Sequence, residues 1–500
     1  MNTLRSSLHP RLRLYAFSTF LCGLVVMATE LSASRLLAPY FGNSLYVWTN
    51  LITLVMMGLA FGYALGGWLS DKRPDEKLYF LMIWTAGLWI LMIPFFASPL
   101  FSLLLELAPN LAWTAKVGSF LAILLLFVLP LFVLGAIVPF TLKLSLKHLE
   151  GVGALSGKLS MISSAGSLIG SFLPAFLLLP LLGTTATFLL LGLCLFFLGA
   201  YGLRNVWLFI LGLGGLLLFF IVPPVYADDR MIAYEDSAYG FIFVTEDGEG
   251  VRRLHIDTPL GTQSIYDPET ALSADRYYYP YFGILPAMVP EAKSVLILGH
   301  AGGSFTRIFN TYYPELEVTG VELDPKVTEM AQVYMGLDQA EVSIVHSDAR
   351  AFLLSTDESY DLILVDTYHG ANIPAHLATE EFFTLCTEHL NAEGILALNA
   401  ASTEGIFLDT LANSLAQPFG SVYLAPIPSS FNFMLITQEN GSYELMSPLT
   451  SDLQAKWETF LEQDPELRKF DPQLGTFKDD TLSEVEVLDE QMFMQLLEAL

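Results

Sequence analysis

The chain has 500 residues, 53% of them hydrophobic and 15% charged, with a mean hydropathy of +0.51, which is too apolar and too long for one water-exposed domain. Its formal charge of −27 is uneven: 6 of the 51 acidic residues precede Asp228, whereas the 24 lysines and arginines divide equally. The strongly acidic second part would repel phosphates and excludes nucleic acid as a partner, while the dispersed Cys22, Cys194 and Cys386 offer neither a disulfide framework nor metal spacing.

Seven apolar stretches are long enough to cross a bilayer, at about 14–38, 45–69, 78–99, 114–140, 159–182, 184–203 and 205–225. They predict a multi-pass α-helical bundle over residues 1–226 in a cell membrane, with the lipid bilayer as its partner. Basic residues at Arg5, Arg11 and Arg13, then at Lys72, Arg73 and Lys77, fall in alternate connections and place the N-terminus in the cytoplasm. Seven spans would carry the acidic part to the other side; a re-entrant segment near 94–110 is the alternative that would keep it inside. Gly58, Gly62 and Gly66, and again Gly166 and Gly170, recur every fourth residue, a pattern that lets helix backbones approach closely. The stretch GYALGGWLSDKR (62–73) resembles the loop between the second and third helices of major facilitator transporters, with Asp71 and Arg73 as its charged marks.

After PPVYADD (223–229), residues 227–285 carry three alternating segments, 239–246, 251–257 and 262–267, separated by DGEG and TPLG, which predict a small antiparallel unit. Residues 286–440 change pattern. Short apolar runs at 294–299, 317–324, 342–348, 360–366 and 394–400 are each followed by a helical stretch or loop, predicting an α/β Rossmann-like, doubly wound parallel sheet, closed by a hairpin at about 421–438. Residues 441–500 read as an acidic helical extension without legible chemistry.

In an open parallel sheet the ligand lies across the carboxyl ends of the strands. The residues just past each predicted strand form one set. Gly299, Gly302 and Gly303 make a turn whose missing side chains would let a ligand sit against backbone N–H groups. Glu322 follows about 20 residues later, where a carboxylate accepts hydrogen bonds from ribose hydroxyls. Asp348 ends the third strand, beside an adenine edge, and Asp366 ends the fourth. Singly, each acid is explained equally well as a loop or helix-cap residue; together they predict a nucleoside pocket.

The glycine turn lacks the full G-x-G-x-x-G spacing, so an adenosine sulfonium or thioether suits it better than a dinucleotide. From about 234 to 440 the sequence resembles the spermidine synthase family, the polyamine aminopropyltransferases. The resemblance lies in LHIDTPLGTQS (254–264), DRYYYPYFGILPA (275–287), VLILGHAGGSFTR (295–307), GVELDPKV (320–327), SDARAFL (347–353) and DLILVDTYHGANIPAHLATEEFF (361–383). With the helices ahead of it, the chain resembles proteins described as fused transporter-like and spermidine synthase. The resemblance implies a β unit followed by a methyltransferase-type Rossmann domain, in which Glu322, Asp348 and Ala349 hold the nucleoside of decarboxylated S-adenosylmethionine. It further implies Asp366 as catalytic base, a small amine lined by Gln263, Tyr279, Tyr368 and His369, a homodimer as one expected assembly, and neither a metal nor a tightly bound cofactor.

Three departures qualify it. The family's glycine turn carries an aspartate that contacts the donor's aminopropyl ammonium, and here Gly302 is near that place. Its D-x-x-D-P motif becomes Asp366 with His369 and no proline, and the histidine after the second motif's tyrosine is Pro280. Two alternatives follow: a methyltransferase-like enzyme using intact S-adenosylmethionine, or a non-catalytic nucleoside- or polyamine-sensing domain that gates the bundle.

Overall fold

The computed structural model describes residues 11–42, 44–108, 113–146, 152–215, 217, 230–257, 261–272, 277–368, 372–428, 430–437 and 445–499. The chain forms two compact units, one reaching Asp229 and including Asp236–Phe241, the other holding Arg230–Glu235 and everything from Ile242.

Among the described residues, five helices of the first unit are long and apolar enough to cross a membrane: α1 (Leu12–Phe41), α2 (Leu45–Lys72), α3 (Glu76–Glu106), α4 (Thr114–Ser145) and α5 (Val152–Leu203). The break expected between segments 159–182 and 184–203 is present: the apolar stretch Val152–Leu203 is divided at Gly183, whose φ of 77° is not helical, into two helical parts. The seventh expected span is described only as the short helix α6 (Val206–Gly215), and its remainder, with PPVYADD, lies outside the described residues apart from residue 217. A re-entrant break is corrected over residues 94–106, because α3 runs unbroken through Pro94 and Pro99 to Glu106.

The glycine repeats work as the spacing predicts. A Cβ at Gly62 would stand 2.2 Å from the Phe132 carbonyl and one at Gly66 2.3 Å from that of Ala136, so α2 lies with its main chain against α4. Likewise Gly166 and Gly170 face the Phe20 and Leu24 carbonyls at 2.0 and 2.1 Å, seating α5 on α1. Asp71, in the transporter-like stretch, pairs with Lys143 at 2.6 Å.

In the second unit, β1 (Met231–Asp236), β2 (Phe241–Glu246), β3 (Arg252–Ile256) and β4 (Ser264–Tyr266) form a sheet in chain order; β1 is a strand the sequence pattern did not reveal. The short helix α7 (Tyr279–Phe282) leads to the main sheet of β5 (Ser294–Leu298), β6 (Glu317–Glu322), β7 (Ser343–His346), β8 (Tyr360–Val365), β9 (Leu390–Ala401), β10 (Ser421–Pro426), β11 (Asn432–Ile436) and β12 (Glu466–Lys469). Their spatial order is β12-β10-β11-β9-β8-β5-β6-β7. β7, β6, β5, β8 and β9 run parallel, and the predicted hairpin β10/β11 joins antiparallel to β9. This is a methyltransferase-like α/β sheet.

The apolar runs are continuous because each face has its own core. Leu296 and Leu298 pack with Phe382 and Leu411 on one side, while Val295 and Ile297 pack with Phe282 and Phe309 on the other. Connecting helices are α8 (Ser304–Tyr312), α9 (Pro325–Tyr334), α10 (Ala349–Leu353), α11 (Glu380–Glu388) and α12 (Ile406–Phe419). The C-terminal extension is corrected from wholly helical to α13 (Ser451–Glu462), the edge strand β12 paired antiparallel with β10, and α14 (Leu482–Ala499).

Candidate active site

The chain reverses its direction of travel across the sheet between β5 and β8, so their carboxyl ends flank the crevice that such sheets use for ligands. Gly299 ends β5 with φ +87°, and a Cβ there would stand 2.3 Å from the Asp366 carbonyl oxygen. Only glycine lets the two strand ends meet so closely. Gly302 makes room for Ser264, and Gly303, at φ +81°, for Leu337 and the His300 ring.

The turn's N–H groups correct the expectation that they stand ready for a ligand. Those of Gly299 and His300 donate to the Val321 carbonyl, that of Ala301 to Glu322 Oε2, that of Gly302 to Ser264 Oγ and that of Gly303 to the His300 carbonyl, at 2.8–3.1 Å. The N–H groups of the turn are thus spent on the protein's own acceptors.

Glu322 ends β6 almost fully buried. Its Oε2 takes the Ala301 N–H at 2.8 Å and its Oε1 the Asp324 N–H at 3.0 Å. Burial pushes its pKa up against the pull of these bonds. Each oxygen keeps a lone pair, which is what a vicinal diol needs. Asp348 caps α10: Oδ1 accepts from the Arg350 and Ala351 N–H groups, both at 3.0 Å, and Oδ2 meets His376 Nε2 at 2.8 Å. Burial works to raise the pKa of this half-buried carboxyl, but the His376 contact and the two cap bonds outweigh it and hold it below the usual value. Ala349, next to it, is buried. The helix-cap explanation of Asp348 is therefore realised.

Asp366 lies one residue past β8, at the centre of a polar network. Tyr278 Oη donates to its Oδ2 at 2.9 Å and Asn399 Nδ2 to its Oδ1 at 2.7 Å. Asn399 is oriented in turn by Asn432, whose Nδ2 donates to its Oδ1 at 2.9 Å, leaving its amide N–H groups for Asp366. Burial pushes the Asp366 carboxyl up to about 6, and the two donors restrain the rise. Burial, with the nearby Asp366 charge adding to it, holds the Tyr278 phenol far above its ordinary value, so it stays a donor.

Tyr279 lies under this network with its ring 4.1 Å from that of Tyr278, and its hydroxyl donates to the Thr262 carbonyl at 3.0 Å, fixing the approach to Gln263. The Gln263 N–H donates to the Leu254 carbonyl. Tyr368 Oη donates to the Asn399 carbonyl at 3.2 Å and accepts the Ala401 N–H at 2.5 Å. His369 lies outside the described residues. Tyr278, Asn399 and Asn432 are the site residues that spacing did not single out. Among the described residues, no group of three or more His, Cys, Asp or Glu side chains is arranged to hold a metal ion.

At the switch point of this α/β sheet, carboxyls stand at three successive strand ends, with Glu322 buried and Asp348 and Asp366 half-buried. Residues 282–437 match the family described as spermine/spermidine synthase domain. Over these residues the chain is similar to the spermine/spermidine synthase family. It is 31% identical over 221 residues to a "Probable polyamine aminopropyl transferase" of Bifidobacterium longum, covering 42% of this chain and 48% of the relative. To a polyamine aminopropyltransferase of Vibrio vulnificus it is 32% identical over 183 residues, 35% of this chain and 58% of the relative. To one of Oceanobacillus iheyensis it is 28% identical over 369 residues, 64% of this chain and 69% of the relative, so that similarity reaches into the helical half. The chain thus spans about half the length of the first relatives it matches. A solved structure of a probable spermidine synthase from Corynebacterium glutamicum overlays with a TM-score of 0.41 at 18% identity, covering 51% of this chain and 97% of the other.

Proposed function

We propose that the second unit is an aminopropyltransferase that uses decarboxylated S-adenosylmethionine and a small di- or polyamine, with Asp366 as general base. The observation that carries this reading is the Asp366 environment: a half-buried carboxyl, raised by desolvation to about 6 and aimed by Tyr278 and Asn399. A base must be ionised at working pH yet hold a proton well enough to take it from an ammonium, and a pKa near 6 meets both demands. The amine lone pair attacks the aminopropyl carbon attached to the sulfonium. As the new C–N bond forms, the C–S bond breaks, its electron pair neutralises the sulfur to a thioether, and the proton shed by nitrogen passes to Asp366.

Glu322, Asp348, Ala349 and the turn at Gly299, Gly302 and Gly303 would hold the nucleoside, and Gln263, Tyr279 and Tyr368 the amine. The domain limits expected at 226, 285 and 440 go with this reading, as does anchorage in a lipid bilayer, which the five long apolar helices support. Incubating the purified full chain with a panel of amines and either decarboxylated or intact S-adenosylmethionine tests it. Methylthioadenosine formed from the decarboxylated donor supports aminopropyl transfer; S-adenosylhomocysteine from the intact one would favour the methyltransferase, whose case rests on Gly302 standing where the family has an aspartate. Tight nucleoside binding without product from either donor would favour a sensing domain.

A further inference from the structure

We propose that Asp489, on the C-terminal helix α14, is a positioning residue for the segment that follows Asp366, so that the acidic extension forms part of the site's framework. Asp489 is 2% exposed. Its Oδ2 accepts from Asn372 Nδ2 at 2.9 Å and from the Ile373 N–H at 3.2 Å. A buried carboxylate carries a desolvation penalty, and a leucine or methionine would fill such a place on an amphipathic helix without it. Its neighbours do so: Val485 and Met492 pack in one core with Ile373, Leu377 and Phe477. The carboxylate is therefore explained by what it holds rather than by the packing of the helix.

What it holds is the continuation of the strand end that carries Asp366. The segment is tied at its start, where Tyr368 bonds to β9 on either side of Ala400. Asp489 ties it again at 372–373. A third tie comes from the same extension, where Asp479 pairs with Arg350 and accepts the Thr379 hydroxyl at 2.8 Å, while Arg350 Nη1 also donates to the His376 carbonyl at 3.2 Å. His376 is the residue that touches Asp348. The extension thus anchors Asn372, Ile373 and Thr379 and, through Arg350, the His376 carbonyl, and Asp489 is the buried one of its anchors.

The kinetic part of the test rests on the function proposed above; the exchange part does not. In the full chain purified in detergent, Asp489→Ala should lose hydrogen-exchange protection at the amides of residues 373–377 while those of β5 and β6 keep theirs. With decarboxylated S-adenosylmethionine and 1,4-diaminobutane, it should raise KM for the amine and lower kcat/KM by roughly 10- to 100-fold, the scale of a displaced substrate-positioning group. Methylthioadenosine affinity should change less than threefold, roughly within the spread of a remote change. Asp489→Asn, whose amide oxygen can accept both N–H groups, should restore most of the protection and the KM. Asn372→Ala gives a smaller effect in the same direction and serves if the alanine variant fails to fold. Unchanged exchange at 373–377 in Asp489→Ala, or an asparagine variant as impaired as the alanine one, overturns the proposal. If the wild type transfers no aminopropyl group but the exchange pattern follows this order, the function fails and the positioning role stands.

Discussion

Glycine serves both halves of this molecule by letting main chain touch main chain, yet to different ends. In the helical unit Gly62 and Gly166 admit the carbonyls of Phe132 and Phe20, and repetition every fourth residue spreads the contact along whole helices. In the α/β unit Gly299 admits a single carbonyl, that of Asp366. The first use sets a distance between rods; the second sets the place of one residue. A glycine in a pattern therefore announces close backbone without saying whose, and at the β5 turn the partner is the protein itself.

The largest effect should come from the residue that Gly299 places. Asp366→Asn is expected to lower kcat about 10²- to 10⁴-fold, the range for loss of a general base, with methylthioadenosine affinity within a few fold; equal loss of both would deny it that role. Next comes Gly299→Ala, which combines a 2.3 Å clash with φ +87°. It should cost about 2–4 kcal/mol and reduce turnover together. Gly62→Ala meets a 2.2 Å contact without a strained φ, so it should cost about 1–3 kcal/mol by prying α2 from α4 and leave the site's pH profile untouched. Melting both variants and assaying them separates the two uses of glycine.

A finer distinction comes from pH. As the proposed general base, Asp366 would act only when ionised, so kcat/KM should rise with pH through about 6. Tyr278→Phe removes a donor to the carboxylate, so this limb should move higher; a downward move would contradict the network. Stability runs the other way. The folded state holds this proton more tightly than the unfolded chain, whose aspartate titrates near 3.8, so the group's contribution is complete below that value and lost as pH rises through about 6. The smallest effect belongs to Gly67, which neighbours Gly66 in α2 but has nothing within 4 Å of its Cβ position. Gly67→Ala should stabilise by up to ~1 kcal/mol from helix propensity alone, while Gly66→Ala should destabilise.

The sheet was legible because its parallel strands are buried on both faces and read as uninterrupted apolar runs, and the acids were legible because strand ends have fixed positions in such a fold. Tyr278 was hidden inside YYY (277–279), where the start of α7 and not any spacing decides which ring reaches Asp366. Asn399 sat within an apolar strand, a place where an amide is as readily a misfit as a functional group. β12 escaped notice because ELRK is a short, charged edge strand, and edges do not require an apolar pattern. The division at Gly183 was legible because a glycine interrupts the apolar run there, and its φ of 77° breaks the helix at that residue.

Glu322 carries a consequence for how this domain can change. The carboxylate proposed to take the ribose is also the mortar of the turn: it captures the N–H of Ala301, a non-glycine residue at φ 47°. Replacing it to welcome a different ligand, such as a sugar bearing a phosphate, would loosen the bend between β5 and α8 at the same stroke. Under the proposed function, the group that would meet an unmodified ribose is thereby built into the masonry, and a lineage seeking another guest would have to rebuild the wall first.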